Sequence, residues 1–177
     1  MSEVPDILDA LRRMKVVGAN ETPVITALSG GVSGDVFRVE LATGTICVKR
    51  ALPKLRVAAE WLAPVERIHS EVDWFRFEGG VEAGCVPGII AEDKPAYLFA
   101  MNYFEPADYP GWKAQLLEGQ VDSDFAGQVG RATASIHRAS AGRADVAAKF
   151  AHDEMFMALR IEPYLLYTAE AHPDRAA

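Results

Sequence analysis

Residues 28–37 read Leu-Ser-Gly-Gly-Val-Ser-Gly-Asp-Val-Phe, with three glycines and two serines between two strand-like stretches. Glycine permits positive φ and lets a ligand come close to the backbone. The free N–H groups of such a turn can hold phosphate oxygens. Three familiar glycine motifs do not fit. A dinucleotide fingerprint leads into a helix, whereas an alternating strand follows here. A Walker-type loop ends in Gly-Lys-Ser/Thr, whereas Gly34 is followed by Asp35. A hydrolase nucleophile elbow needs glycine where Asp35 stands. What remains is a glycine-rich hairpin lying over a polyphosphate, with Gly30, Gly31, Ser33 and Gly34 as its candidate residues, or an ordinary flexible hairpin.

A nucleotide site of the kinase kind also needs a cation on the third strand and an acid on the next helix to orient it. Lys49 ends the stretch Thr45-Ile46-Cys47-Val48-Lys49, and alternation puts it on the face opposite Ile46 and Val48. Arg50 follows it, so two exposed bases at a strand end are the plainer reading. Glu71 falls in a helical stretch whose apolar stripe is Val65, Ile68, Val72 and Phe75. At about 100° per residue it stands roughly 80° from the stripe's centre, at the edge of the buried face. A solvated flank charge is the plainer reading there. In a two-lobed kinase the strand 97–103 would run past the adenine edge, with Met101 and Tyr103 as the residues to name; a core strand is the alternative.

The elements that must position these groups follow from periodicity. A short helix is expected over 5–15, with Ile7, Leu8 and Leu11 on one face and Gly18 as its stop. Strands are expected over 24–28, 35–41 and 45–49, the last two joined by Ala42-Thr43-Gly44 in an antiparallel meander. A helix is expected over 64–78, opened by Pro64 and ended by Gly79-Gly80. Strands over 86–91 and 97–103 follow, separated by a polar turn at 92–95, then a loop over 105–112. Beyond it the pattern is helical. One helix is capped by Asp122 or Ser123 and faced by Phe125, Val129, Ala132 and Ile136, and another runs over 153–171 with Pro163 bending or dividing it. Strands thus dominate before residue 104 and helices after it, which predicts an α+β fold with a boundary there.

Composition narrows the class. The chain has 177 residues, 50% of them hydrophobic and 24% charged, which describes a globular protein with a core. Eighteen basic residues against 25 acidic give a net charge of −7, which disfavours a nucleic-acid partner. No apolar run approaches the roughly 18–20 residues that span a bilayer, so no membrane is expected. The first residues show no apolar signal core. Cys47 and Cys85 form no CxxC pair, and a reduced cytoplasmic location is the expectation. The four histidines form no metal pattern. Cys47 reads as a small apolar strand residue.

In order along the chain, LSGGVSGDVFRVEL, TICVKR, the glutamate of RIHSEVDWF, CVPGIIAED, YLFAMNYFEP and QVGRATASIHRAS resemble the aminoglycoside phosphotransferase family, small-molecule kinases with a protein-kinase-like fold. The pieces cover roughly residues 24–140. RIEPYLLYTAEAHPD also looks like a helix of some members, and ALPKLRV is more similar to the methylthioribose kinase branch than to antibiotic-resistance enzymes. The resemblance implies that Lys49 and Glu71 are the nucleotide-orienting pair, that residues 30–34 cover the phosphates, and that residues 101–103 are the hinge. It implies ATP and Mg2+ as cofactors and a small-molecule hydroxyl as acceptor, aminoglycoside-like or a sugar or metabolite. It further implies a small nucleotide-binding lobe over 1–104, a five-stranded antiparallel sheet with a helix, and the first helices of a large lobe over 105–177.

One departure is large. The family's catalytic loop reads HGDxxxxN, its Asp taking the hydroxyl proton and its Asn binding magnesium. The only asparagines here are Asn20 and Asn102. The stretches beginning at His137, His152 and His172 do not match the loop. No catalytic residue and no metal ligand is therefore assigned, and the expectation is the amino-terminal part of a kinase, inactive alone. The rival reading is a non-catalytic nucleotide-binding or interaction module, dimerising with a second copy through the exposed lobe boundary.

Overall fold

The computed structural model describes residues 3–29, 31–58 and 60–175. The first helix, α1 (Glu3–Arg13), buries Ile7, Ala10 and Leu11, an i, i+3, i+4 stripe worth about 1.5–3 kcal/mol for each large side chain. It ends before the expected stop. Lys15 takes a left-handed φ of 60°, its N–H donates to the Arg12 carbonyl at 2.9 Å, and the Val16 N–H donates to Leu11 at 3.0 Å. That pair of bonds is a Schellman closure with lysine where glycine is usual, three residues ahead of Gly18.

The alternating stretches form β1 (Val24–Leu28), β2 (Gly34–Leu41) and β3 (Gly44–Ala51), paired antiparallel. Leu41 pairs with Gly44 across Ala42-Thr43, and Gly44 supplies the positive φ, 137°, that this tight link needs. After helix α2 (Arg67–Val81) come β4 (Ile89–Asp93) and β5 (Leu98–Asn102). The sheet order is β1-β2-β3-β5-β4, with every pairing antiparallel. The expected five-stranded antiparallel sheet with helices is therefore what the chain builds.

The sheet carries a core on each face. On one, Phe37, Val39, Ile46, Val48, Leu98 and Ala100 pack against the α1 stripe and Val17. On the other, Ala51 and Phe99 pack against Ile68 and Val72 of α2, with Val65 and Phe75 partly buried beside them. The predicted stripe of this helix is thus the one it buries.

Its bounds differ from expectation. The carbonyls of residues 64–66 accept from the N–H groups of Arg67, Ile68 and His69 as a turn leading into the helix, so Pro64 lies ahead of it. At the other end the helix runs through Gly79 and Gly80, since neither takes the left-handed conformation that would stop it. The polar turn near residue 94 is a single 3₁₀ turn, Lys94–Ala96, capped by the Asp93 carboxylate and closed by Tyr97 in left-handed conformation. Glu92 and Asp93 belong to β4.

The helical remainder begins with α3 (Trp112–Leu117), inside and beyond the expected loop. Asp122 then caps α4 (Ser123–Ser140), accepting from the N–H groups of Asp124 and Phe125 at 2.9 Å each. Of its apolar face only Ile136 is buried. The next helix, α5 (Ala144–Lys149), is tied to α2 by a Lys149–Asp73 ion pair of 2.9 Å and by Phe150, set edge-on to Trp74. The last helical run is continuous: α6 (Asp153–Phe156), a π-helix (Met157–Leu166) and α7 (Tyr167–Ala171). Pro163 neither ends nor divides it. The helix widens to i→i−5 bonding around the residue that has no N–H to give.

Candidate active site

Strand alternation sends Cys47, Lys49 and Ala51 to the α2 face of the sheet, and α2 crosses there. The Lys49 ammonium meets the Glu71 carboxylate at 2.5 Å, both side chains about a quarter to a third exposed. The helical arc that placed Glu71 at the edge of the buried stripe is the reason it reaches inward to the strand. Lys49 and Glu71 line a cleft of 610 Å³ with Ser33 and Gly34 of the glycine turn. The other walls are Trp61 of the segment after β3 and Leu159, Arg160 and Tyr164 of the π-helix.

The glycines owe their place to the backbone. A Cβ on Gly31 would collide with the Gly34 carbonyl, and one on Gly34 would come to 2.7 Å of the Arg50 carbonyl oxygen and 3.7 Å of Lys49 Cε. Neither takes a positive φ. Close approach of turn to strand, rather than left-handed geometry, is what requires glycine there. Gly30 lies outside the described residues, and Gly31 is not among those lining the cleft.

What fixes the turn is a set of charges that sequence reasoning passed over. Asp35, used above only to exclude two motifs, is 2% exposed and opposes Arg50 across β2 and β3 on the α1 face. Its Oδ2 accepts from Arg50 Nη2 at 2.7 Å and Nε at 3.2 Å, and its Oδ1 accepts from Arg56. Arg67, at the start of α2, donates to the carbonyls of Ser33, Leu52 (2.6 Å), Pro64 (2.6 Å) and Ala63 (3.1 Å). Burial lowers its pKa, against the opposing pull of Glu71 and Glu66. The Leu52 N–H donates to Ser33 at 3.2 Å and the Arg56 N–H to Val32 at 2.9 Å. The carbonyls of Val32 and Ser33 are thereby engaged by the segment 52–56 and by Arg67. Local periodicity could not have shown the contacts of Asp35 with Arg50 and Arg56, or of Arg67 with Ser33 and Leu52, because each joins residues 15 or more apart in sequence.

The predicted hinge residues stand elsewhere on the same sheet face. Met101 pairs with Cys47 across β3 and β5, and both line a second cleft of 420 Å³ with Leu28, Tyr103 and Phe104. Cys47 and Lys49 are two residues apart on one strand face, on the order of 6–7 Å. An apolar slot and a cationic cleft therefore lie side by side. Burial pushes the Cys47 thiol up to about 11, Lys49 pulling it down and Glu71 up, so at neutral pH it is a protonated, unreactive wall. Met101 and Tyr103 are thus brought together with each other, and Lys49 with Glu71, Ser33 and Gly34, in two adjoining clefts.

A family model described as the phosphotransferase enzyme family matches residues 24–177. The chain belongs to that family. No curated protein matches it. The phosphotransferase match opens at Val24, the first residue of β1, and takes in the glycine turn, Lys49, Glu71 and both clefts; α1 precedes it. It names no branch of the family, so the likeness of ALPKLRV to methylthioribose kinases gains no support from it. Among the described residues of this phosphotransferase-family chain, no group of three or more His, Cys, Asp or Glu side chains could hold a metal ion. Nor is any helix among them long and apolar enough to cross a membrane.

Proposed function

We propose that this chain is the ATP-holding part of a phosphotransferase that acts on a hydroxyl of a small molecule. The observation that carries the reading is the Lys49–Glu71 ion pair beneath the glycine turn, in a cleft adjoining an apolar slot. The slot, with Leu28, Cys47, Met101 and Tyr103, suits the flat face and edge of an adenine. One strand step along, Lys49 gives its ammonium to the α and β phosphate oxygens. Glu71 holds that ammonium in line by charge-assisted hydrogen bonding, so little order has to be imposed when the nucleotide arrives. Ser33 and Gly34 close over the phosphates from the turn that Asp35 and Arg67 hold down.

The residues assigned here bind and orient; none is assigned as the base that takes the acceptor's proton. The strands and α2 form the nucleotide lobe, 1–104, and the segment 105–177 begins a helical lobe. The acceptor, aminoglycoside-like or a sugar or metabolite, rests on the family alone.

Calorimetric titration of the purified chain with ATP and with adenosine tests the reading. ATP binds more tightly than adenosine, and Lys49→Ala removes about tenfold or more of ATP affinity while leaving adenosine unchanged. Absence of saturable ATP binding, or an ATP affinity indifferent to Lys49→Ala, refutes it.

A further inference from the structure

Three cationic side chains line the cleft: Lys49, Arg67 and Arg160. Two are committed. Lys49 is paired with Glu71, and Arg67 spends its guanidinium on four backbone carbonyls. Arg160 is exposed and donates only to the carbonyl of its neighbour Leu159, at 2.8 Å. Among the described residues it pairs with no carboxylate. A cleft that already holds an ammonium therefore also presents a guanidinium with donors to spare, in a geometry suited to two phosphate oxygens.

Its presentation has a cause in the chain. Arg160 belongs to the π-helix Met157–Leu166, where each N–H seeks the carbonyl five residues back. Pro163 has no N–H, so the carbonyl of Ala158 is left without its helical donor. The Trp61 indole fills that place, its Nε1–H donating to Ala158 O at 2.8 Å. Trp61 comes from the segment that also touches the glycine turn through Leu52 and Arg56. One proline thus frees one carbonyl, one tryptophan grips it, and the turn of helix bearing Arg160 is held against the nucleotide cleft.

From this the geometry points to Arg160 as a second phosphate-binding residue, a guanidinium supplied by the helical segment to the polyphosphate of the nucleotide that Lys49 holds. This inference rests on the ATP reading above, and it adds a residue that the glycine turn, the lysine and the glutamate do not include. Binding involves no bond making; Arg160 raises affinity for the charged tail and leaves the base alone.

The test is titration of Arg160→Gln and Arg160→Lys with ATP and with adenosine, in low and moderate salt. The expected result for Arg160→Gln is an ATP affinity about tenfold lower, an unchanged adenosine affinity and a shallower salt dependence. Arg160→Lys, which keeps the charge, recovers most of the loss. If wild type binds ATP, Lys49→Ala abolishes that binding and Arg160→Gln leaves it intact, the role of Arg160 is overturned while the ATP site stands. Equal weakening of ATP and adenosine overturns it too, because a residue that merely props the helix would act on both. If wild type binds no ATP, both readings fall together.

Discussion

Asp35 offers the sharpest test of how the glycine turn is held. Its carboxylate is 2% exposed, while its partners differ: the Arg50 side chain is 19% exposed and that of Arg56 is 49%. Replacing Asp35 by Asn keeps the shape but removes the charge and points an amide donor at a guanidinium. Removing one member of a buried pair costs about 3–5 kcal/mol when the other stays buried. Arg56 can swing into water, so its share falls to the surface range of about 0–1 kcal/mol. Arg50 is anchored in β3 and cannot escape as easily. The expected loss is therefore about 2–4 kcal/mol, or a melting point lower by roughly 5–15 °C for a chain of this size. Urea unfolding followed by tryptophan fluorescence and circular dichroism measures it. Double-mutant cycles then apportion it: coupling of Asp35 with Arg50 should reach about 1–3 kcal/mol, and with Arg56 stay below about 1. A loss under about 0.5 kcal/mol, or a larger coupling to Arg56 than to Arg50, would refute the reasoning.

Two further outcomes follow from local geometry. Lys15→Gly should stabilise the protein by about 0.5–1 kcal/mol in chemical denaturation, because Lys15 closes α1 in a left-handed conformation that costs a side chain more than glycine; a destabilised variant would mean that the lysine side chain earns its place. Burial raises the Cys47 thiol from 9.0 to about 11 in the folded state, so its contribution is complete below pH 9 and disappears as pH rises through 11, the unfolded chain losing its proton first. Stability should drop by about 1–3 kcal/mol more in wild type than in Cys47→Ala over that window, and parallel pH profiles would count against it.

Much of the site could be read from local pattern because its two charged members obey local rules. Lys49 is placed by strand alternation, and Glu71 by the 100° step of a helix whose stripe was visible. Strand order was not legible, since nothing local says that β5 inserts between β3 and β4. The segment 52–63 shows no local period for a related reason: beside a few bonds within itself, it is held by Val32, Ser33 and Ala158, all remote from it in sequence, and by Arg67 through Leu52. Glycine misled in two ways. Gly79 and Gly80 continue a helix because no left-handed turn is built there, while Lys15 and Tyr97 adopt the conformation that glycine usually marks. Pro163 was visible as an interruption, but its outcome depended on an indole a hundred residues upstream that could take over the vacated carbonyl.

The α1 stripe has a consequence for the order of events at birth. Ile7 and Leu11 find part of their cover on Leu98 and Ala100, which emerge only after most of the sheet has been made. At roughly 5–20 residues per second, the nascent helix waits on the order of 5–20 seconds with its greasy side uncovered. Synthesis of α1 and the closing of this core are thus separated by a delay in which a holding chaperone has something to grip.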